Sequence, residues 1–85
     1  MRQKYRMHSS VKIIKSGITA IVAGTYSQLY RGPMIDSYSL YLVENGEIYN
    51  SMAWFHEDEL LQIEGPDRDT AEEMIENYHF KNARK

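Results

Sequence analysis

The titratable residues of this chain lack the spacing of a metal centre. His8, His56 and His79 are its only imidazoles, and cysteine is absent. Zinc requires three or four ligands that converge on one point. His56, with Glu57 and Glu59 beside it, has no second histidine at HExxH or comparable spacing. We therefore expect no metal site and no cofactor.

The acidic and nucleophilic residues also form no catalytic motif. Glu57, Asp58 and Glu59 are consecutive, so their side chains point in different directions and suit the capping of a turn better than acid–base chemistry. The serines form no GxSxG or SxxK motif, and the glycines are scattered rather than grouped in a phosphate loop. We expect the protein not to be an enzyme.

The aromatic residues indicate binding instead. Tyrosine, methionine and arginine are enriched at protein interfaces, and aromatic side chains beside a loop can bind extended proline-rich peptides. The irregular segment 26–37 contains two tyrosines, but its only charges are Arg31 and Asp36, which argues against a basic proline-rich peptide. We predict that a partner protein is contacted by Tyr26, Tyr30, Arg31 and Tyr41.

The net charge of -2 over 85 residues conceals a strong segregation of charge. The first 16 residues carry five cations and no acid, whereas residues 57–76 carry nine acids and one arginine. The two ends can neutralise each other. Alternatively, the basic end can bind the phosphates of a nucleic acid, although a sequence pI near 5.9 opposes this. The nucleic-acid contacts would then be Arg2, Lys4, Arg6, Lys12 and Lys15.

Apolar alternation and β-branched residues predict short strands. Tyr38, Leu40 and Leu42 are expected on one face of a strand, and Asn45-Gly46 is a strong signal for a tight hairpin. Trp54 and Phe55 end the return strand and, with Tyr38, are expected in the core. The predicted strands cover residues 11–15, 18–25, 38–43, 47–55 and 60–63, with a helical turn at 56–60 before the last.

The C-terminal segment changes to helical spacing. Ala71, Met74, Ile75 and Tyr78 lie at i, i+3, i+4 and i+7, which predicts an amphipathic helix of about 12 residues. Asp69 with Glu72, or Thr70 with Glu73, would form a capping box at its start. Such a helix is marginal alone, so its apolar stripe must pack on the strands or on a second copy. The candidate residues for self-association are Met74, Ile75 and Tyr78.

Together these elements predict a mainly β protein, a small SH3-like barrel of about five antiparallel strands with a C-terminal α-helix. Three stretches carry a resemblance: residues 17–22 (GITAIV), 38–42 (YSLYL) and 54–60 (WFHEDEL). They resemble the small SH3-like barrel proteins of firmicutes and their prophages, the YorP-like group among them. The resemblance covers residues 11–64 and implies the barrel, without any catalytic residue.

We expect one domain in three parts: a flexible basic arm at 1–10, the barrel at 11–65, and the helix with a basic tail at 66–85. No apolar run reaches the roughly 18 residues that span a bilayer, so we expect a cytoplasmic protein with no membrane association. The predicted function is that of a bacterial, non-enzymatic protein-interaction module that can form a homodimer through its helix. The alternative is a nucleic-acid-binding accessory protein that uses the basic arm.

Overall fold

The computed structural model describes residues 4–83, in which five antiparallel strands form one sheet. The strands are β1 (Ser10–Ile13), β2 (Thr19–Thr25), β3 (Ser37–Glu44), β4 (Glu47–His56) and β5 (Leu60–Gln62). Their order is β4-β3-β2-β1-β5, so β4 and β5 are edge strands and do not pair with each other within the described residues. The predicted mainly β class is confirmed, with a sheet that remains open between its two edges.

Two tight connections are those that the sequence predicts. Asn45 and Gly46 have φ angles of 52° and 76°, and Glu44 pairs with Glu47 across the turn. Positive φ at both central residues is the requirement of a type I′ hairpin, which Asn-Gly meets at low cost. The predicted helical turn after β4 is a 3-10 turn at Glu57–Glu59.

The segment after β2 was expected to be a loop, but it begins with a short helix, α1 (Tyr26–Tyr30). The Gln28 backbone N–H donates to the Thr25 hydroxyl at 3.1 Å, and the Thr25 N–H donates to the Gln28 side-chain oxygen at 2.9 Å. This reciprocal pair of hydrogen bonds is a capping box, which favours the start of a helix at a Thr-x-x-Gln sequence. Arg31 ends the helix in the left-handed conformation, with φ of 58°.

One face of the sheet, here called the core face, holds the larger apolar cluster. Its buried members are Tyr5, Val11, Ile13, Ala20, Val22, Tyr38, Leu40, Leu42 and Leu60. All of them except Tyr5 belong to the strands, so the core face is buried mainly by side chains of the sheet itself. The predicted alternation along β3 is confirmed.

Trp54 does not belong to this core, although its position in the sequence predicts that it does. Phe55 pairs with Tyr38 and packs against the core cluster, whereas Trp54 is 37% exposed. Successive side chains of a strand point to opposite faces. Because Phe55 takes the core face, the preceding Trp54 is turned away from it.

The opposite face, here called the helix face, is covered by α2 (Arg68–Ala83). Ile21, Ile48 and Ala71 are buried there, and half-buried side chains surround them: Tyr41, Val43, Met74, Ile75 and Tyr78. The predicted helical stripe therefore packs on the sheet of its own chain. The three residues proposed for self-association are already engaged in this contact.

The helix is longer than predicted because its cap lies earlier. The Thr70 backbone N–H donates to Asp67 Oδ1 at 2.8 Å, so Asp67, rather than Asp69 or Thr70, supplies the capping oxygen. The preceding linker passes directly over β1. A Cβ atom on Gly65 would collide with the Ser10 side chain, so this approach requires glycine.

Residues 4–10, expected to belong to a flexible arm, are attached to the sheet. The Tyr5 ring is buried against Tyr38 with their centroids 5.5 Å apart. The backbone N–H groups of Lys4 and Tyr5 donate to the Tyr38 hydroxyl at 2.9 and 3.0 Å. The Tyr5 hydroxyl in turn donates to the Leu60 carbonyl at 2.9 Å. An apolar ring inside a basic stretch thus makes this segment part of the core.

Candidate protein-binding surface

Helix α1 and strand β4 bring three aromatic rings together. Tyr26 and Tyr30 are four residues apart, so they lie on the same side of α1, and their ring centroids are 5.3 Å apart. The Trp54 ring contacts both edge-on, at 5.1 Å from Tyr26 and 5.6 Å from Tyr30. These three residues are called the aromatic cluster below.

The loop after α1 packs closely against the aromatic cluster. A Cβ atom on Gly32 would lie 2.5 Å from the Tyr26 ring, so only glycine allows the chain to pass there. The Ser27 backbone N–H donates to the Met34 carbonyl at 2.9 Å and ties the loop to the helix. The loop thus supports one side of the Tyr26 ring.

A histidine fixes the far end of the same loop. His56 Nε2 lies 3.1 Å from Asp36 Oδ2, and the Glu57 backbone N–H donates to the Asp36 carbonyl at 2.9 Å. His56 Nδ1 accepts from the Asp58 backbone N–H at 3.1 Å and so caps the 3-10 turn. His56 therefore has a structural partner on each side of its ring. Among residues 4–83, no group of three or more His, Asp or Glu residues could hold a metal ion.

The aromatic cluster is part of an exposed apolar surface. Tyr30 is 65% exposed, and Leu29 and Met34 are also exposed large apolar residues of α1 and its loop. Aromatic pairs in this geometry contribute about 0.5–1.5 kcal/mol each beyond burial, so the rings support one another even where solvent reaches them. An exposed aromatic surface is typical of a binding site.

The other two predicted contact residues are in different surroundings. Arg31 follows Tyr30 directly, is exposed, and takes part in no ion pair within the described residues. Tyr41 lies on the helix face, with its ring 5.9 Å from Tyr78 and its hydroxyl 3.2 Å from His79 Nε2. Burial raises the pKa of the Tyr41 phenol, and the neighbouring Tyr78 raises it further. Tyr41 thus belongs to the packing of α2 and not to the aromatic cluster.

Four of the five predicted nucleic-acid contacts lie within residues 4–83. Lys4, Arg6, Lys12 and Lys15 are exposed and form no ion pair within residues 4–83. Lys4 Nζ lies 5.6 Å from the centroid of the Tyr5 ring. Arg2 lies outside the described residues.

The chain matches no protein-family model, no curated protein and no solved structure. The resemblance drawn from the three sequence stretches therefore stays a prediction. Neither α-helix found in residues 4–83 is long and apolar enough to cross a membrane.

Proposed function

We propose that this chain is an SH3-like barrel of the YorP-like kind that acts as a non-enzymatic protein-interaction module in the bacterial cytoplasm. The strand order β4-β3-β2-β1-β5 supports the barrel, because a short last strand returns to β1 after a 3-10 turn. The observation that carries the functional part is the aromatic cluster of Tyr26, Tyr30 and Trp54 on an exposed surface.

The proposed contact combines apolar area with one unpaired cation. Tyr30 offers the most exposed ring of the cluster, and Leu29 extends the apolar area beside it. Arg31 can donate to a carboxylate or a carbonyl of the partner, because no acidic residue of the described chain pairs with it. Asp36, the other charge of this loop, is already engaged by His56.

Capture from a native lysate by three immobilised proteins tests this proposal. These are the wild type, Tyr30→Ala and Tyr49→Ala. Tyr49 is the matched control, because it is 48% exposed on β4 and belongs to no described aromatic pair. A partner that uses the aromatic cluster is retained by the wild type and by Tyr49→Ala, and is reduced about tenfold or more by Tyr30→Ala. A partner that is retained equally by all three proteins contradicts the proposed site.

The alternative function, nucleic-acid binding, is supported by the exposure of four lysine and arginine side chains near the N-terminus. Each phosphate contact contributes to a steep salt dependence. Retention on single-stranded and double-stranded DNA and on RNA, measured at rising salt, tests this function. Binding that is lost in Lys4→Ala/Arg6→Ala but kept in Tyr30→Ala would favour the alternative over the aromatic cluster. No retention at low salt would reject it.

A further inference from the structure

A second surface lies where the sheet fails to close. An open groove of about 480 Å³ lies between strand β4 and the turn that joins β1 to β2. Its apolar floor is formed by Ile13, Ile14, Ile18, Met52 and Phe55. Ile13 is a member of the core cluster, and Ile18 and Phe55 pack against that cluster, so the groove is continuous with the core.

The groove runs beside a free strand edge. β4 pairs with β3 on one side only, and its ten residues form one edge of the described sheet. The Ser51 backbone N–H donates to the side-chain oxygen of its own neighbour, Asn50, at 2.9 Å. The exposed Asn50 side chain thus accepts a hydrogen bond from the Ser51 N–H that a carbonyl of an added strand could accept instead. Unpaired strand edges are templates for such addition.

The charges at the rim of the groove are of opposite sign. Lys15, Asp58 and Glu59 line the rim, and the Ile14 backbone N–H donates to the Glu59 carbonyl at 3.0 Å, so these charges lie on two neighbouring segments of the chain. The Glu59 carboxylate accepts from the His56 backbone N–H, and the Asp58 carboxylate, although largely exposed, lies 3.5 Å from His56 Nδ1. A ligand with a basic group toward Asp58 and an acidic group toward Lys15 matches this rim.

We propose that the groove binds an extended segment of a partner protein, which adds a strand to β4 and inserts apolar side chains between Met52 and Ile14. The segment would carry apolar residues at alternate positions, flanked by a basic and an acidic residue. Main-chain hydrogen bonds to β4 would provide the register, and the apolar floor would select the side chains. Trp54 of the aromatic cluster also belongs to β4, but the groove lining contains no residue of that cluster.

Selection from a displayed library of 12-residue peptides tests this proposal, with the wild-type protein as bait. Selected peptides are synthesised, and their affinities are measured by NMR titration of the labelled protein. The test variant is Ile14→Lys, and the matched control is Leu61→Lys. Ile14 is 58% exposed in the groove, and Leu61 is 56% exposed on β5 outside it. Because both positions are exposed, both variants should fold, which their amide spectra will verify.

We expect Ile14→Lys to weaken binding about tenfold or more, since it removes apolar contact and adds a charge. Leu61→Lys and Tyr30→Ala should leave the affinity within about twofold of the wild type. Asn50→Ala should strengthen binding, because it frees the Ser51 N–H for the peptide. Methylation of the alternate peptide nitrogens that face β4 should abolish binding, whereas methylation of the other alternate set should not, because only the first set pairs with the strand.

Three results would overturn the proposal. The first is a library that yields no peptide sensitive to Ile14→Lys. The second is a peptide whose affinity survives methylation of either alternate set of backbone nitrogens, which would make the groove a simple apolar pocket. The third is a wild-type dimer in sedimentation that Ile14→Lys dissociates, which would make the occupant a second copy of the chain.

Discussion

The two faces of the sheet are buried in different ways. On the core face, β1, β2, β3 and β5 all contribute buried residues, and the Tyr38 and Tyr5 hydroxyls are hydrogen-bonded to backbone groups. On the helix face, most of the residues in contact are only half buried. The polar contacts at its margins are long: His8 Nδ1 lies 3.7 Å from Glu72 Oε1, and Lys81 Nζ lies 3.8 Å from Glu47 Oε1.

This difference indicates a division between a cooperative core and a more loosely attached layer. Regions with few buried apolar contacts open at lower free energy than the rest of a protein. We therefore expect the helix face to open before the core face.

Leu40→Ala should produce the largest loss of stability. Leu40 is fully buried on the core face, so truncation leaves a cavity and should lower the free energy of unfolding by about 2–5 kcal/mol. Val43→Ala on the same strand is the control. Because Val43 is only half buried on the helix face, its truncation should lower the free energy of unfolding by about 1 kcal/mol. Urea denaturation measures both, and equal losses would contradict the division between the faces.

Tyr38→Phe should destabilise the attachment of the N-terminal segment. It keeps the ring but removes the oxygen that accepts from the Lys4 and Tyr5 N–H groups. Leaving buried donors unpaired should cost about 1–3 kcal/mol. We expect amide exchange of residues 5–8 to accelerate in Tyr38→Phe and to remain unchanged in the exposed control Tyr49→Phe. Unchanged exchange in both variants would contradict a role for the Tyr38 hydroxyl in holding the segment.

Met74→Ala should weaken the packing of α2 on the sheet by about 1–2 kcal/mol, because Met74 is only half buried. In this variant, amide exchange should accelerate across α2, while the amides of the core strands remain protected. Glu76→Ala, at an exposed position of the same helix, should have almost no effect. If α2 and the core strands exchange together in Met74→Ala, the two faces unfold as one unit.

Asp67→Ala should have the smallest effect, and the effect should depend on pH. Hydrogen bonds from the Thr70 backbone and side chain hold the pKa of Asp67 below its ordinary value. A lowered pKa in the folded state means that the carboxylate stabilises the fold above its ordinary pKa of about 4, and that this contribution is lost as pH falls through the lowered value.

Thermal unfolding near pH 7 and near pH 2 checks this prediction. The melting temperature of Asp67→Ala should lie below that of the wild type at the higher pH. The two melting temperatures should become equal at the lower pH. Asp67→Asn keeps a capping oxygen without the charge. Its melting temperature should therefore lie below that of the wild type by a smaller amount than for Asp67→Ala, and this amount should not depend on pH. If the melting temperature of Asp67→Ala remains below that of the wild type in acid, the charge of the carboxylate is not the cause of the difference.

The sequence predicts those parts of the fold that depend on neighbouring residues. Strand alternation around Leu40 and Leu42, the Asn45-Gly46 turn and the helical stripe from Ala71 to Tyr78 each follow from local patterns. Helix α1 was missed, although Thr25 and Gln28 have capping-box spacing, because a helix of five residues has too few positions to show a period. The burial of Tyr5 was missed because its partners Tyr38 and Leu60 are 33 and 55 residues away.

The candidate sites show the same limit. The sequence by itself determined which residues could bind, the tyrosines near Arg31 and the cations near the N-terminus, because residue type fixes their chemistry. Only the tertiary structure decided which of them act together. In the tertiary structure, Trp54 contacts Tyr26 and Tyr30, Tyr41 lies on the helix face, and an open groove lies beside β4. These arrangements depend on contacts between strands that are distant in sequence, which no local pattern encodes.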